Sequence, residues 1–327
     1  MHTKRFDVTA LGELMMDFTP AGVTGQGSLL YEQNAGGAPA NVAACVSRLG
    51  GTAAYIGKVG QDDFGRTLKA TLAGKGVDVS GVKDTRFYPT AMAFVTLDEN
   101  NARHFTFYHS NTADVRLTSG EVNLELVDDA AAFCYGSVSM TEEPSCAATL
   151  MAAEHAHQAG KLVCYDPNLR PSLWESERVA RDSILRGMQY ARIVKMSEDE
   201  LAFLTENMAL KEACRILLRQ YNLMAVFVTR GKLGAYCATL SFEVQVPAYD
   251  IRVTDTTGAG DAFVGGLIYR LLRFGKRVDN LSLAEMMVCL DFANAVGSLT
   301  TTRNGVMNAL PTLDEVYECM RSTPKIV

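Results

Sequence analysis

The chain has no surplus of basic residues. Its 31 Lys and Arg are outnumbered by 37 Asp and Glu, a formal net charge of −6 over 327 residues. That balance excludes general nucleic-acid binding, which needs a basic footprint, although backbone amides can still build a local anion site. Apolar residues make up 48% of the chain, yet no run approaches the ~18 consecutive apolar residues of a membrane-crossing helix. The apolar stretch 8–16 is too short for that and carries Glu13, so neither a targeting segment nor a membrane partner is expected. The eight cysteines form no CxxC pair, and most lie in apolar segments such as Leu162-Val163-Cys164-Tyr165. That is the pattern of buried thiols in a reducing, cytoplasmic setting. The five histidines lack metal-ligand spacing; His155 and His157 would lie on different faces of one helix. Repeats, low-complexity blocks and Pro/Ser-rich linkers are missing as well.

Two common phosphate-binding loops are also absent. Gly57-Lys58-Val59 lacks the Ser/Thr and glycine spacing of a Walker A loop. No GxGxxG opens the helix after the first strand, which removes the main support for a dinucleotide oxidoreductase.

What is present is an alternation. Short β-branched runs at residues 6–11, 53–59, 131–138, 162–165, 192–196 and 225–229 predict strands. Helical periods at 39–49, 64–74, 144–159 and 197–205 fall between several of them. Strands alternating with helices predict an α/β fold around a mostly parallel sheet, with ligands beyond the strands' carboxyl ends. Two segments break this rhythm. Residues 19–34 carry Pro20, Gly22, Gly25 and Gly27 without helical period, and 87–108 reads as two strands, 91–97 and 104–108, joined over Asp98-Glu99-Asn100-Asn101. Together they predict a small β-layer standing off the main domain, suited to exclude water from a transfer reaction.

The segment richest in chemistry is Asp255-Thr256-Thr257-Gly258-Ala259-Gly260-Asp261-Ala262-Phe263-Val264-Gly265-Gly266. It follows a strand-like stretch, 248–253, and opens an apolar helix reaching about residue 272. Glycines at a helix mouth let free N–H groups converge on an anion, which the helix dipole also favours. Asp261, in the first turn, would repel a phosphate but can accept the proton of a hydroxyl attacking it. A second glycine-rich helix entry, Gly36-Gly37-Ala38-Pro39-Ala40-Asn41, places the Asn41 amide where it can meet a polyhydroxylated ligand.

These two blocks resemble the signature motifs of the ribokinase-like (PfkB) family of carbohydrate kinases, and the likeness covers essentially the whole chain. Gly57-Lys58-Val59-Gly60-Gln61-Asp62-Asp63-Phe64-Gly65, Val228-Thr229-Arg230-Gly231-Lys232-Leu233-Gly234-Ala235 and Thr300-Thr301-Thr302-Arg303-Asn304-Gly305 resemble three further family stretches in the right order. The resemblance implies a three-layer α/β/α ribokinase-like core (1–16, 36–86 and 113–327) with a β-sheet lid (17–35 and 87–112). It implies Asp261 as catalytic base and the amides of Gly258, Ala259 and Gly260 as an anion hole. Thr229, Gly231, Gly234 and Ser197 would face the nucleotide, and Asn294 its adenine. The implied cofactors are ATP and Mg2+, with K+ as a further ion: Glu200 would act on Mg2+ through water, and Asp255 and Thr257 match a monovalent-cation site. The family's Asn-x-x-Glu motif reads Ser197-Glu198-Asp199-Glu200 here, which is also the spacing of a helix capping box.

Within the family, two stretches look most like fructokinases. Gly12-Glu13-Leu14-Met15-Met16-Asp17-Phe18 resembles the first-strand motif whose aspartate, Asp17, binds sugar hydroxyls. Asp166-Pro167-Asn168-Leu169-Arg170-Pro171-Ser172-Leu173-Trp174 resembles the strand-end loop, with Asp166 and Asn168 toward the sugar and Arg170 toward the transferred phosphate. Gly36, Gly37 and Asn41 would complete the pocket. His109 stands where Arg is usual and Asn111 where Pro is usual; the missing fixed cation speaks against an acidic sugar, and His109 reads as a surface residue. The expected activity is phosphorylation of D-fructose to fructose 6-phosphate. The alternatives are a 2-keto-3-deoxygluconate kinase and a non-catalytic binding protein on the same fold. The partners expected are sugar, ATP and a second copy of the chain paired through the lid.

Overall fold

The computed structural model describes residues 4–97 and 103–326. Thirteen strands are present among them: β1 Phe6–Leu11, β2 Met15–Val23, β3 Leu29–Gly36, β4 Ala53–Gly60, β5 Val77–Thr85, β6 Met92–Leu97, β7 Arg103–Tyr108, β8 Ala130–Gly136, β9 Leu162–Asp166, β10 Ile193–Ser197, β11 Ala225–Thr229, β12 Ala235–Ala238 and β13 Glu243–Val246. The helices are α1 Ala38–Arg48, α2 Asp63–Gly74, α3 Leu124–Asp128, α4 Ser145–Gln158, α5 Glu177–Gly187, α6 Glu198–Leu204, α7 Leu210–Gln220, α8 Ala259–Arg273, α9 Leu283–Thr300, α10 Val306–Ala309 and α11 Leu313–Ser322.

Nine strands form one sheet in the order β13-β12-β11-β10-β9-β8-β1-β4-β5. Its pairings are parallel from β5 through to β11; β12 and β13 are added antiparallel. Strands buried on both faces read as continuous apolar runs, and all eight residues of β4 are indeed buried. Because side chains alternate, each strand feeds two cores. Ile193, Ala225 and Phe227 join a cluster with α1, α2, α8 and α9. Val194, Met196, Val226 and Val228 join the opposite cluster with α3 to α7. The result is a three-layer α/β/α domain. α9, the one described helix long and apolar enough to span a bilayer, is a core helix here, with Phe292 and Val296 fully buried.

β1 lies between β4 on one side and β8 on the other, so the strand order reverses at β1. A crevice opens beyond the carboxyl ends at such a point. Gly12, Asp166, Ser197 and Thr229 all lie at those ends.

The second sheet, β3-β2-β6-β7, has four strands. The segment 19–34, read from sequence as turn-rich, lies mostly within the β2–β3 hairpin, whose register shifts between Pro20 and Gly22. Asp17 therefore stands on the first strand of this small sheet rather than on β1. Phe18 stacks on Phe94 at 4.6 Å and meets Phe64 of α2 edge-on at 5.6 Å, which ties the sheet to the core. The turn expected over residues 98–101 lies outside the described residues. A second correction concerns 248–253, which forms no strand. Pro247 withholds a donor just after β13, and only one isolated bridge, Tyr249 to Lys325, follows.

Phe227 is fully buried at the centre of the first core. Replacing it with Ala should cost about 3–5 kcal/mol of stability, read as a lower urea midpoint at unchanged slope.

Candidate active site

Two helix N-termini meet in the crevice. α1 begins after Gly37, whose φ of +122° and crowding against the Glu13 carbonyl exclude any side chain. α8 begins after Gly258, left-handed at φ +74°, with Val306 packed where a Cβ would stand. Asn41, one turn into α1, donates from Nδ2 to Asp261 Oδ2 at 2.8 Å. The residue is half-buried, with its carboxylate hemmed in by protein and its neighbour Gly260 lining the cleft. Burial raises its pKa; the Asn41 hydrogen bond and then the charges of Lys195 and Arg170 oppose that rise. A carboxylate so placed, beside the helix-mouth amides of residues 258–260, of which that of Ala259 donates to the Thr256 carbonyl at 3.3 Å, is a base adjoining an anion cradle.

One side of this pair is polar and acidic. Asp17 projects from β2 so close to Gly36 that a Cβ there would collide with its carboxylate. Burial pushes Asp17 up to about 7, with the Arg170 guanidinium opposing. Asn168 takes a left-handed φ of +49° and turns the chain, and Arg170 Nη1 donates to the Leu169 carbonyl at 3.1 Å. Arg170 thus faces both Asp17 and Asp261. Asp17, Gly36, Gly37, Asn41 and Arg170 are brought together. Asp166 is placed otherwise: it is 4% exposed and its oxygens lie 3.1 and 3.3 Å from Lys195 Nζ.

The other side is a cleft of about 930 Å³ lined by Thr229, Gly231, Gly234, Gly260 and Asn294, among others. Asn294 Nδ2 donates to the carbonyls of Val246 and Pro247, fixing the cleft wall where β13 ends. Ser197 caps α6, its Oγ accepting from Glu200 N, while Glu200 Oε2 accepts from Ser197 N. The other Glu200 oxygen accepts from Leu169 N at 2.7 Å, so this side chain joins α6 to the Arg170 loop. Asp255, 6% exposed, accepts from Thr257 N and shapes the turn before the cradle. Among the described residues no cluster of three or more His, Cys, Asp or Glu could hold a metal ion.

Three buried ionisable groups were given no place at the site by the sequence. Lys195 was legible only as a lone charge in the apolar run Ile193-Val194-Lys195-Met196. Glu13 is buried, its Oε1 accepting from Ala38 N at 2.7 Å to cap α1, and burial pushes it up to about 7. His109 is no surface residue: it is 2% exposed, with Nε2 2.7 Å from Asp114 Oδ2. Burial works against its protonation, but Asp114 overrides this and holds its pKa above the ordinary value. The decoy Lys58 is accounted for by Glu121, at 2.6 Å, and the Arg116 carbonyl.

With this geometry in view, comparison with known proteins is decisive. The pattern of the pfkB family carbohydrate kinases matches residues 5–313. The chain belongs to that family. It is 43% identical over 317 residues to fructokinase-1 of Oryza sativa subsp. japonica, covering 96% of this chain and 98% of the relative. Among solved structures, fructokinase with bound ATP from Xylella fastidiosa superposes with a TM-score of 0.89 at 33% identity, covering 96% and 98% of the two chains. A double mutant of fructokinase from Vibrio cholerae O395, holding fructose, ADP and potassium ion, gives 0.86 at 32% identity, covering 98% and 100%. This pfkB chain is thus a sugar kinase with the ribokinase-like architecture.

Glu13 also sets a pH signature for this kinase. A carboxyl raised from 4.5 to about 7 on folding lends its full benefit at or below pH 4.5 and loses it as pH climbs through 7. Glu13→Gln keeps the acceptor for Ala38 N and removes the titration. Its melting temperature should fall less than that of the unsubstituted protein between pH 4.5 and 7.5, as read by calorimetry.

Proposed function

We propose that this protein is an ATP-dependent fructokinase, transferring the γ-phosphoryl group of ATP to the primary hydroxyl of D-fructose to give fructose 6-phosphate. The observation that carries it is the placement of Asp261: hydrogen-bonded to Asn41, in the first turn of α8, between an acidic pocket and the 930 Å³ cleft. In this reading ATP occupies the cleft, with Thr229, Gly231 and Gly234 along its phosphates and ribose and Asn294 behind its base. Asp17 and Asn41, beside Gly36 and Gly37, hold the sugar hydroxyls, and Asn168 shapes the loop above them. Asp261 takes the proton of the attacking hydroxyl, and the developing charge on the phosphoryl group is met by the amides of Gly258, Ala259 and Gly260 and by Arg170.

Mg2+ accompanying the nucleotide would supply further charge stabilisation. Both Glu200 oxygens already serve backbone amides, which suits it to a water-mediated role. The Asp255–Thr257 turn beside the cradle is the place for a K+ ion, and the potassium ion held by the Vibrio cholerae relative supports that reading. The small sheet serves as the lid, comprising residues 17–35 and 87–112. Its exposed Val23 and Leu29, each 63% accessible, support pairing with a second copy. The eight buried free thiols suit a reducing compartment such as the cytoplasm.

Arg170 favours one second reading, a sugar acid such as 2-keto-3-deoxygluconate. Asp17 and Glu13 beside the pocket, each pushed up to about 7 by burial, would repel such a substrate in their ionised forms above that pH, which leaves fructose ahead. Coupled ADP release with Mg·ATP against fructose, ribose, 2-keto-3-deoxygluconate and no sugar tests this; fructose should lead in kcat/KM, and a leading sugar acid would overturn the substrate. Asp261→Asn should lower kcat by about 10²–10⁴-fold while leaving ATP affinity within a few-fold.

A further inference from the structure

Lys195 is the least expected charge in the molecule. It projects from β10 with its side chain 7% exposed, opposite Asp166 at the end of β9. The two Asp166 oxygens, at 3.1 and 3.3 Å, occupy two of the three ammonium protons. The third has no hydrogen-bond acceptor among the described residues. The ammonium also presses on α8: a Cβ built on Gly260 would stand 2.9 Å from Nζ and 3.7 Å from Cε. Gly260 is bare on that side so that the cation can approach the cradle.

A lysine whose only task was to neutralise Asp166 would have no need to lie against Gly260. Removing both charges would then be the cheaper solution, since buried ion pairs rarely add net stability over apolar packing. We infer that Lys195 is a positioning cation for phosphoryl transfer, held by Asp166 against the Gly258–Gly260 cradle so that its charge reaches both the transferred group and Asp261. This rests on the phosphotransfer reading above and adds a residue to it. It also gives Asp166 its task, which is to hold Lys195 rather than the sugar.

The electrostatic surroundings of Asp261 agree. Facing it are Asn41 and Cys45 from α1, Arg170 from the 168–170 loop, Glu200 from α6, Asp166 from β9, and the carboxylates of Asp17 and Glu13. Lys195 and Arg170 are the two cations opposing this acidic crowd at Asp261, and both lower its pKa. Burial works against protonation of Lys195, but Asp166, Glu200 and Asp261 outweigh it and hold its pKa above the ordinary lysine value. The base acts in its ionised form, so loss of Lys195 should move the acid limb of the rate profile upward.

The test uses the full-length protein with Lys195→Met, Lys195→Arg and the double variant Lys195→Met/Asp166→Asn, in which no buried charge is orphaned. Each is followed by melting, by kcat and KM across pH 5–9 with fructose, and by calorimetric affinity for ADP and for the non-hydrolysable analogue AMP-PNP. The double variant should fold, keep KM for fructose within about threefold, lose about 100-fold in kcat and show an acid limb about one unit higher. It should also lose the affinity advantage of AMP-PNP over ADP, while Lys195→Arg recovers part of each effect. A folded double variant with kcat within threefold, an unshifted limb and an intact AMP-PNP preference would reduce Lys195 to a partner for Asp166 and overturn the inference. Should the unsubstituted protein act on no sugar, the kinase reading falls on that control, while the nucleotide preference still decides whether Lys195 serves the cradle.

Discussion

The 2.8 Å hydrogen bond from Asn41 to Asp261 joins the first turns of two helices that enter the crevice from different parts of the chain, 220 residues apart. It forms only because α1 and α8 pack unusually close. At Gly265 a Cβ would stand 2.5 Å from that of Cys45, so any larger residue would push the helices apart and separate the pair. Cys45 Sγ completes the contact by meeting the Ala262 carbonyl at 3.5 Å. Sugar side, base and anion cradle are thereby fixed to one another before any ligand arrives, which is the preorganisation that electrostatic catalysis requires.

Around that bond the site concentrates negative charge. Glu13, Asp17, Asp166 and Asp261 are all desolvated, and burial raises the pKa of each from its ordinary value. Such crowding is unfavourable unless each group has a partner. Glu13 has the Ala38 amide, Asp166 has Lys195, Asp261 has Asn41, and Asp17 faces Arg170. Hydroxyl-rich neutral substrates are served by acceptors of this kind, whereas an anionic substrate meets them as repulsion.

Six of the parallel strands were legible because strands buried on both faces carry apolar runs, and residues 6–11 and 225–229 match β1 and β11 residue for residue, whereas β5, at the sheet edge and only partly buried, has no such run and was missed. Asp261, Asn41 and the glycines were legible because helix entries rich in glycine leave few other readings. What stayed hidden depends on distances between remote segments. His109 and Asp114, only five residues apart, are a local exception: the loop after β7 buries both side chains, which its polar composition does not announce. Lys195 and Asp166 meet only through the pairing of β9 with β10. The stretch 248–253 has strand-like composition but makes only the isolated Tyr249–Lys325 bridge, so composition there misleads.

The small sheet is wired into the core at three of the four points where the chain passes between them. Tyr55 of β4 directs its hydroxyl at the carbonyls of Gly12 and Glu13, each at 2.7 Å. Asp62 at the start of α2 accepts from both the amide and the hydroxyl of Thr90, and that hydroxyl oxygen accepts in turn from Gly60 N. Thr112 links the His109 carbonyl to Asp114. The fastenings of the sheet are therefore encoded largely outside it, on β4, α2 and the loop after β7. For protein engineering this means the sheet is not an interchangeable cassette. A swap bounded by its own four strands would leave behind Tyr55, Asp62, Thr90 and Asp114, and with them the register in which it meets the site.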